Sequence, residues 1–249
     1  MSVDVPDHDP ILLDLGTGAR YFGAAYPAGA PFRGTCLLTH LHWDHVQGLP
    51  FFPPILRDAG HLDVHVPAQE DGRSVASVVD DMLGPPLFPV GLDVFPGTVD
   101  FHEHGDDEFA VGDVRVTSRL VPHLGPTLGY RIDWGGASLA YISDHQQPGI
   151  DVYDATDRVR ELCDSVDVLI HDAQYTRDEF ARKSTWGHCT VEFATWLAAE
   201  SGASTVVLYH HDPTHSDDRL DEMVRLAAAR CDRLTVVGAQ EGMTLRVGR

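Results

Sequence analysis

The chain has 249 residues, enough for one large domain or two small ones, and its 43% hydrophobic content can bury a substantial core. Its 38 acidic residues against 18 basic ones leave a net charge of −20, with Lys183 the single lysine; such a surface repels long nucleic acid unless a local basic patch intervenes, and no Lys/Arg-rich run supplies one. No stretch approaches the roughly 18–20 apolar residues of a membrane span, and Met1–Asp7 lacks the basic and apolar regions of a secretory signal, so a cytoplasmic protein is expected.

In chain order, Ile11–Leu15 and Cys36–Thr39 read as short buried strands, each running into a turn or polar loop. Pro50–Pro54 forces an extended loop. Asp71–Leu83 has helical spacing, with Val75, Val78, Val79 and Met82 on one side. Gly84–Pro96, with four prolines, reads as a long covering loop. Val114–Leu120 and Leu128–Trp134 alternate like strands, and Gly135-Gly136 turns the chain into Ser138–Ile142. Val166–Ile170 and Thr205–Tyr209 are strands. Thr190–Glu200 and Ser216–Arg230 are helices, with Thr190 or Ser184 starting the first and Ser216 capping the second. Leu234–Val237 and Met243–Val247 close the chain as strands. Cys36, Cys163, Cys189 and Cys231 lie far apart and read as buried free thiols. Nothing marks a second domain, so residues 1–249 are expected to form one α/β sandwich of two facing sheets with helices outside.

The segment THLHWDHVQG, residues 39–48, places His40, His42, Asp44 and His45 beyond an apolar strand. Imidazole and carboxylate are the ligands that zinc and similar ions prefer, and loops beyond rigid strands are where sites are mounted. Four such donors, in two pairs at different angles, suit two neighbouring ions better than one.

This H-x-H-x-D-H pattern resembles the signature of the metallo-β-lactamase superfamily. Other segments fit in order: ILLDLGTG with Asp14 and Gly16, VPHLGP with His123, LAYISDH with Asp144, and VVLYHHDP with His210 or His211, of which His210 fits the spacing better. The resemblance implies a four-layer αββα sandwich and two divalent ions, zinc or alternatively manganese. His40, His42 and His123 would hold the first ion. Asp44, His45 and His210 would hold the second, and Asp144 would bridge them. The relatives have a glycine-rich strand and hairpin before their D-x-G segment. Only 13 residues precede Asp14 here, so the sheet is expected to lack those strands, or the start to have been assigned too far downstream.

LIHDAQY and GHCTVEFA resemble the branch that contains ribonuclease Z and the phosphoribosyl cyclic phosphate phosphodiesterases. That likeness implies a hydrolase of a small or cyclic phosphodiester, working through a metal-activated hydroxide. Asp44, Asp172 and His188 would be its catalytic residues. His188 would protonate the departing oxygen and Asp172 would orient it, because an alkoxide leaves poorly without a proton. Cys189 stands where serine is common in the branch. Ribonuclease Z itself carries a long arm between its third and fourth ligand motifs, whereas His123 and Asp144 are only 21 positions apart here. The alternatives are an RNA 3′-end nuclease, a lactone or ester hydrolase, and a metal-binding module without catalysis. The expected partner is a small phosphodiester, with neither long nucleic acid nor membrane; oligomeric state stays open, a homodimer being common among the relatives.

The remaining histidines are read more plainly. His102 and His104 alternate on an expected strand and could bind metal, but no partner motif is visible, so surface display is the reading. His61 and His65 are structural or solvent-facing. His171 stands behind Asp172, and His145 could line the pocket. Trp43, Phe51, Phe52 and Phe88 could wall the site or pack in the core.

Overall fold

The structure, a computed structural model, describes residues 1–27 and 29–248. The chain divides into two compact units, Met1–Gly105 and Asp106–Arg249.

The first unit carries β1 (Ser2–Val3), β2 (Ile11–Leu13), α1 (Gly18–Ala25), β3 (Phe32–Leu37), α2 (Trp43–Val46), β4 (Gly60–Pro67), α3 (Val75–Leu83) and β5 (Thr98–His104). The strands form one sheet in chain order. The β1–β2 pair is antiparallel and all later pairs are parallel. Parallel neighbours need crossover connections, which the segments carrying α1, α2 and α3 supply. Alternate residues Leu62, Val64 and Val66 of β4 join Phe32, Cys36, Val75, Val79 and Leu83 in one apolar cluster. Helix α3 starts later than the spacing suggested, because the Ser74 hydroxyl accepts from the Ser77 N–H and sets the first turn. Helix α1 escapes a pattern reading because its eight residues include two glycines and bury only Ala19 and Gly23. The two-residue β1 lies against β2, so part of that edge is covered.

The second unit carries β6 (Asp107–Val111), β7 (Val114–Leu120), β8 (Leu128–Trp134), β9 (Ala137–Ile142), α4 (Asp157–Cys163), β10 (Val168–Asp172), α5 (Arg177–Lys183), α6 (Val191–Glu200), β11 (Thr205–Tyr209), α7 (Asp217–Ala228) and β12 (Thr235–Gly238). Its sheet runs β12-β11-β10-β9-β8-β7-β6. Strands β6 to β9 form an antiparallel meander and β9 to β12 are parallel. All five residues of β10 are buried, the apolar Val168–Ile170 and the polar His171 and Asp172 alike. Leu169, Val206 and Leu208 pack with Leu162 of α4, Phe193 and Leu197 of α6 and Met223 of α7. Thr190 and Ser216 cap α6 and α7 as the sequence suggested.

Met243–Val247 forms no strand; the preceding Glu241-Gly242 turn leads into irregular chain, and β12 ends the sheet. Short apolar alternation without a hydrogen-bonding neighbour does not make a strand. Cys36, Cys163 and Cys189 are buried free thiols, and Cys231 is half-buried. Burial pushes the Cys163 thiol up to about 12. Among the described residues no helix is long and apolar enough to cross a membrane.

Two consequences are measurable. Leu197 is fully buried on α6, so Leu197→Ala should lower unfolding free energy by roughly 2–5 kcal/mol in denaturant titration. Glu179 closes a capping box with Thr176 on α5 and lies 2.8 Å from His215 Nε2. Burial pushes its carboxyl up, but the His215 and Thr176 contacts outweigh this and bring it down to about 2. A lowered folded-state value stabilises above the unfolded value of about 4.3 and is lost as pH falls. Stability should therefore decline from about pH 4.5 toward pH 2, and Glu179→Gln should flatten that decline in acid-unfolding curves.

Candidate functional site

Each unit presents its own cluster of donor residues at the ends of parallel strands. In the first, β2 and β3 pair Leu13 with Leu37, so the residues beyond both strand ends lie side by side. Asp14 sits there with a positive φ of 60°. Its carboxylate accepts from the Thr39 N–H at 2.7 Å and from the Thr39 hydroxyl. The same carboxylate lies 2.7 Å from His45 Nδ1. A histidine whose Nδ1–H is held by a carboxylate offers the lone pair of Nε2. His45 Nε2 is 3.2 Å from Asp44 Oδ2. His40, also buried, places Nε2 2.9 Å from His42 Nδ1. The loop is clamped by close approaches: a Cβ on Gly16 would stand 2.4 Å from the Asp44 carbonyl oxygen, and one on Gly48 2.0 Å from that of Gly16.

In the second unit, Asp144 follows β9 and is 2% exposed. Its Oδ1 has His210 Nε2 at 3.5 Å, His188 Nδ1 at 3.7 Å and His123 Nε2 at 3.8 Å. These separations are too long for hydrogen bonds; those of His210 and His123 suit donors arranged about a common cation, whereas His188 Nδ1 is engaged by Asp172. Asp144, His188 and His210 each bring one donor atom within 4.8 Å of the others. The His123 Nδ1–H donates to the Gly187 carbonyl at 2.8 Å, which turns Nε2 toward Asp144. Gly187 has φ 95°, and a Cβ there would strike the His123 ring at 2.4 Å.

Asp172 ends β10 and is fully buried. It accepts from the backbone N–H groups of His145 and Gln174 and from His188 Nδ1 at 2.9 Å. Burial pushes this carboxyl up, but the His188 hydrogen bond and the His188 and His210 charges pull it below its usual range. The β10–β11 register places Asp172 opposite Tyr209 and so beside His210, whose φ is 55°. The Gln174 side-chain amide meets His210 Nδ1 at 2.7 Å. His211 turns the other way, its Nε2–H donating to the Ala239 carbonyl at 3.2 Å. His188 lies flat against His210, with ring centroids 4.9 Å apart.

His145 lines no open pocket: it is 1% exposed, packs against Phe193, and places Nδ1 3.0 Å from His171 Nε2. Burial brings it down to about 3, so it is neutral. Trp43 and Phe51 are exposed while Phe52 is buried in the apolar cluster of the first unit. Sequence reasoning missed Thr39, Gly48, Gln174 and Gly187, and also the pair Gln146 and Gln147. Gln146 accepts from the Gly187 N–H, and Gln147 accepts from Thr190. Their common signal is a polar residue or glycine within a few positions of a donor motif.

Residues 11–211 match the model of the beta-lactamase superfamily domain. The chain is 30% identical over 225 residues to the uncharacterized protein Rv1339 of Mycobacterium tuberculosis, covering 87% of this chain and 76% of that one. It is 26% identical over 271 residues to a ribonuclease Z of Mycolicibacterium gilvum, covering 91% and 82%. Among solved structures, the metallo-β-lactamase fold protein YhfI of Bacillus subtilis superposes with TM-score 0.73 at 17% identity, over 97% of this chain and 88% of that one. Zn2+-bound PqqB of Methylobacterium extorquens superposes with 0.71 at 22%, over 98% and 86%. A diphosphatase of the PhnP family gives 0.69 at 18%, over 98% and 82%. The chain belongs to the metallo-β-lactamase superfamily, has its α/β fold of two mixed sheets with helices, and is a hydrolase of that superfamily, whose members generally bind divalent metals.

The Asp14–His45 contact has a measurable consequence. Asp14→Asn keeps the shape but removes the charge that holds the His45 tautomer. Divalent-metal affinity should fall by about 10–100-fold in competition with a chelator, with the fold retained by circular dichroism.

Proposed function

We propose that this protein is a metal-dependent phosphodiesterase acting on a small or cyclic phosphodiester. The observation that carries the reading is the Asp172–His188 pair beside Asp144. A metal-binding module without catalysis has no use for a carboxylate-held imidazole at that place. Each unit carries donors that would hold divalent ions, zinc in the first instance: His40, His42, Asp44 and His45 in the first unit, and His123, Asp144 and His210 in the second. The donor chemistry fits, since all seven are imidazoles or carboxylates. Such ions supply Lewis acidity at phosphoryl oxygens and lower the pKa of a water.

The protein's own groups do the rest. Asp172 accepts from His188 Nδ1–H and so orients Nε2 as the atom that would hand a proton to the departing alkoxide. In a chain whose net charge is −20, these donors, once loaded with divalent cations, would form a locally positive site suited to a phosphate. The interval between His123 and Asp144 is occupied by the β8–β9 hairpin, which leaves no arm for gripping a folded RNA. The second reading, an RNA 3′-end nuclease, rests on the similarity to ribonuclease Z.

The discriminating experiment compares leaving groups on the zinc- or manganese-loaded protein. His188→Ala should slow hydrolysis of a ribose cyclic phosphate, which expels an alkoxide, by about 10²–10⁴-fold. It should slow bis(p-nitrophenyl) phosphate far less, because that phenolate leaves without a proton, and metal content should be unchanged. Lactone turnover indifferent to His188, or processing of a tRNA precursor in preference to small diesters, would overturn the reading.

A further inference from the structure

A second group of donors lies on β4 and β5, apart from those already described. The parallel register pairs Asp63 with Asp100 and His65 with His102. Residues 61, 63, 100 and 102 therefore project to one face, while Leu62, Val64, Val66, Val99 and Phe101 project to the other and pack under α3. On the polar face, His61 Nε2 stands 3.3 Å from Asp63 Oδ2 and 3.3 Å from Asp100 Oδ2. This nitrogen is shielded from solvent and makes no aligned hydrogen bond to either carboxylate. A shielded ring nitrogen facing two carboxylate oxygens needs a partner. Two ligands held about 2.0–2.1 Å from a tetrahedral zinc ion are about 3.3–3.4 Å apart, which matches both separations. The other oxygen of Asp63 accepts from His102 Nε2 at 2.8 Å.

We infer that His61, Asp63 and Asp100 form a binding site for one divalent transition ion of the zinc class, with His102 as the residue that orients Asp63. One imidazole and two carboxylates neutralise the charge of such an ion, and a fourth position is left for water. Both strands contribute through i,i+2 spacing on a hydrogen-bonded ladder, so the donors are held in place before any ion arrives. The ion would tie the last strand of the sheet, β5, to its neighbour.

Zinc counting tests this on the full chain. Metal-free protein is dialysed against Zn2+ and its metal measured by mass spectrometry. His61→Ala combined with Asp100→Asn should lose one equivalent relative to the unaltered chain, while His40→Ala combined with His42→Ala should keep that equivalent. His102→Ala should keep it with affinity weakened by about 10–100-fold. In the unaltered chain, Zn2+ should also protect His61 from diethyl pyrocarbonate, a readout independent of whether any variant folds. An undiminished zinc count in a folded His61/Asp100 double variant, or His61 modified equally with and without Zn2+, would overturn the inference.

Discussion

Two buried carboxylates at the ends of parallel strands decide which nitrogen their neighbouring imidazoles present. Asp14 takes His45 Nδ1, and Asp172 takes His188 Nδ1. In both cases the nitrogen left to act is Nε2, at the far end of the ring. Histidine exchanges its two tautomers readily in water, and only a fixed acceptor on one side makes the other side dependable. The strand register supplies that acceptor: Leu13 beside Leu37 brings Asp14 to the His40–His45 segment, and Asp172 opposite Tyr209 brings it to His210. The backbone pays for this with positive φ at Asp14 and His210, conformations kept only where surrounding contacts insist on them.

Much of this is legible in the order of residues alone. The buried parallel strands announce themselves as apolar runs, and Val114–Leu120 and Leu128–Trp134 match β7 and β8 residue for residue. The donor motifs are visible because each follows such a run. What escapes is structure without a pattern of its own. Helix α5 is held by a capping box and by Glu179–His215, a contact across 36 positions, and β6 is largely solvent-facing, so neither shows a strong apolar period. Met243–Val247 shows the opposite error, since its pattern suits a strand but no neighbour completes one.

The outer layer around the donors is the least readable part. Gly48 and Gly187 are needed because backbone or ring atoms occupy the space of a side chain, a fact of packing rather than of spacing. Gln174 contributes through an amide aimed at His210, and only its place two positions after Asp172 sets it apart from a surface glutamine. The polar face of β4 and β5 is a further case. Its alternation is apparent, but the meeting of His61 with Asp100 depends on the register between two strands, which neither strand states alone.

The adjacent histidines after β11 carry a wider implication. His211 is drawn aside by the carbonyl of Ala239, one residue beyond β12, and the Ala239 N–H in turn donates to the Leu208 carbonyl. The placement of the His211 ring thus depends on chain that arrives 28 residues later. A ribosome-bound chain that has not yet made Ala239 would leave the His211 ring without this acceptor, so the packing of this corner waits on β12.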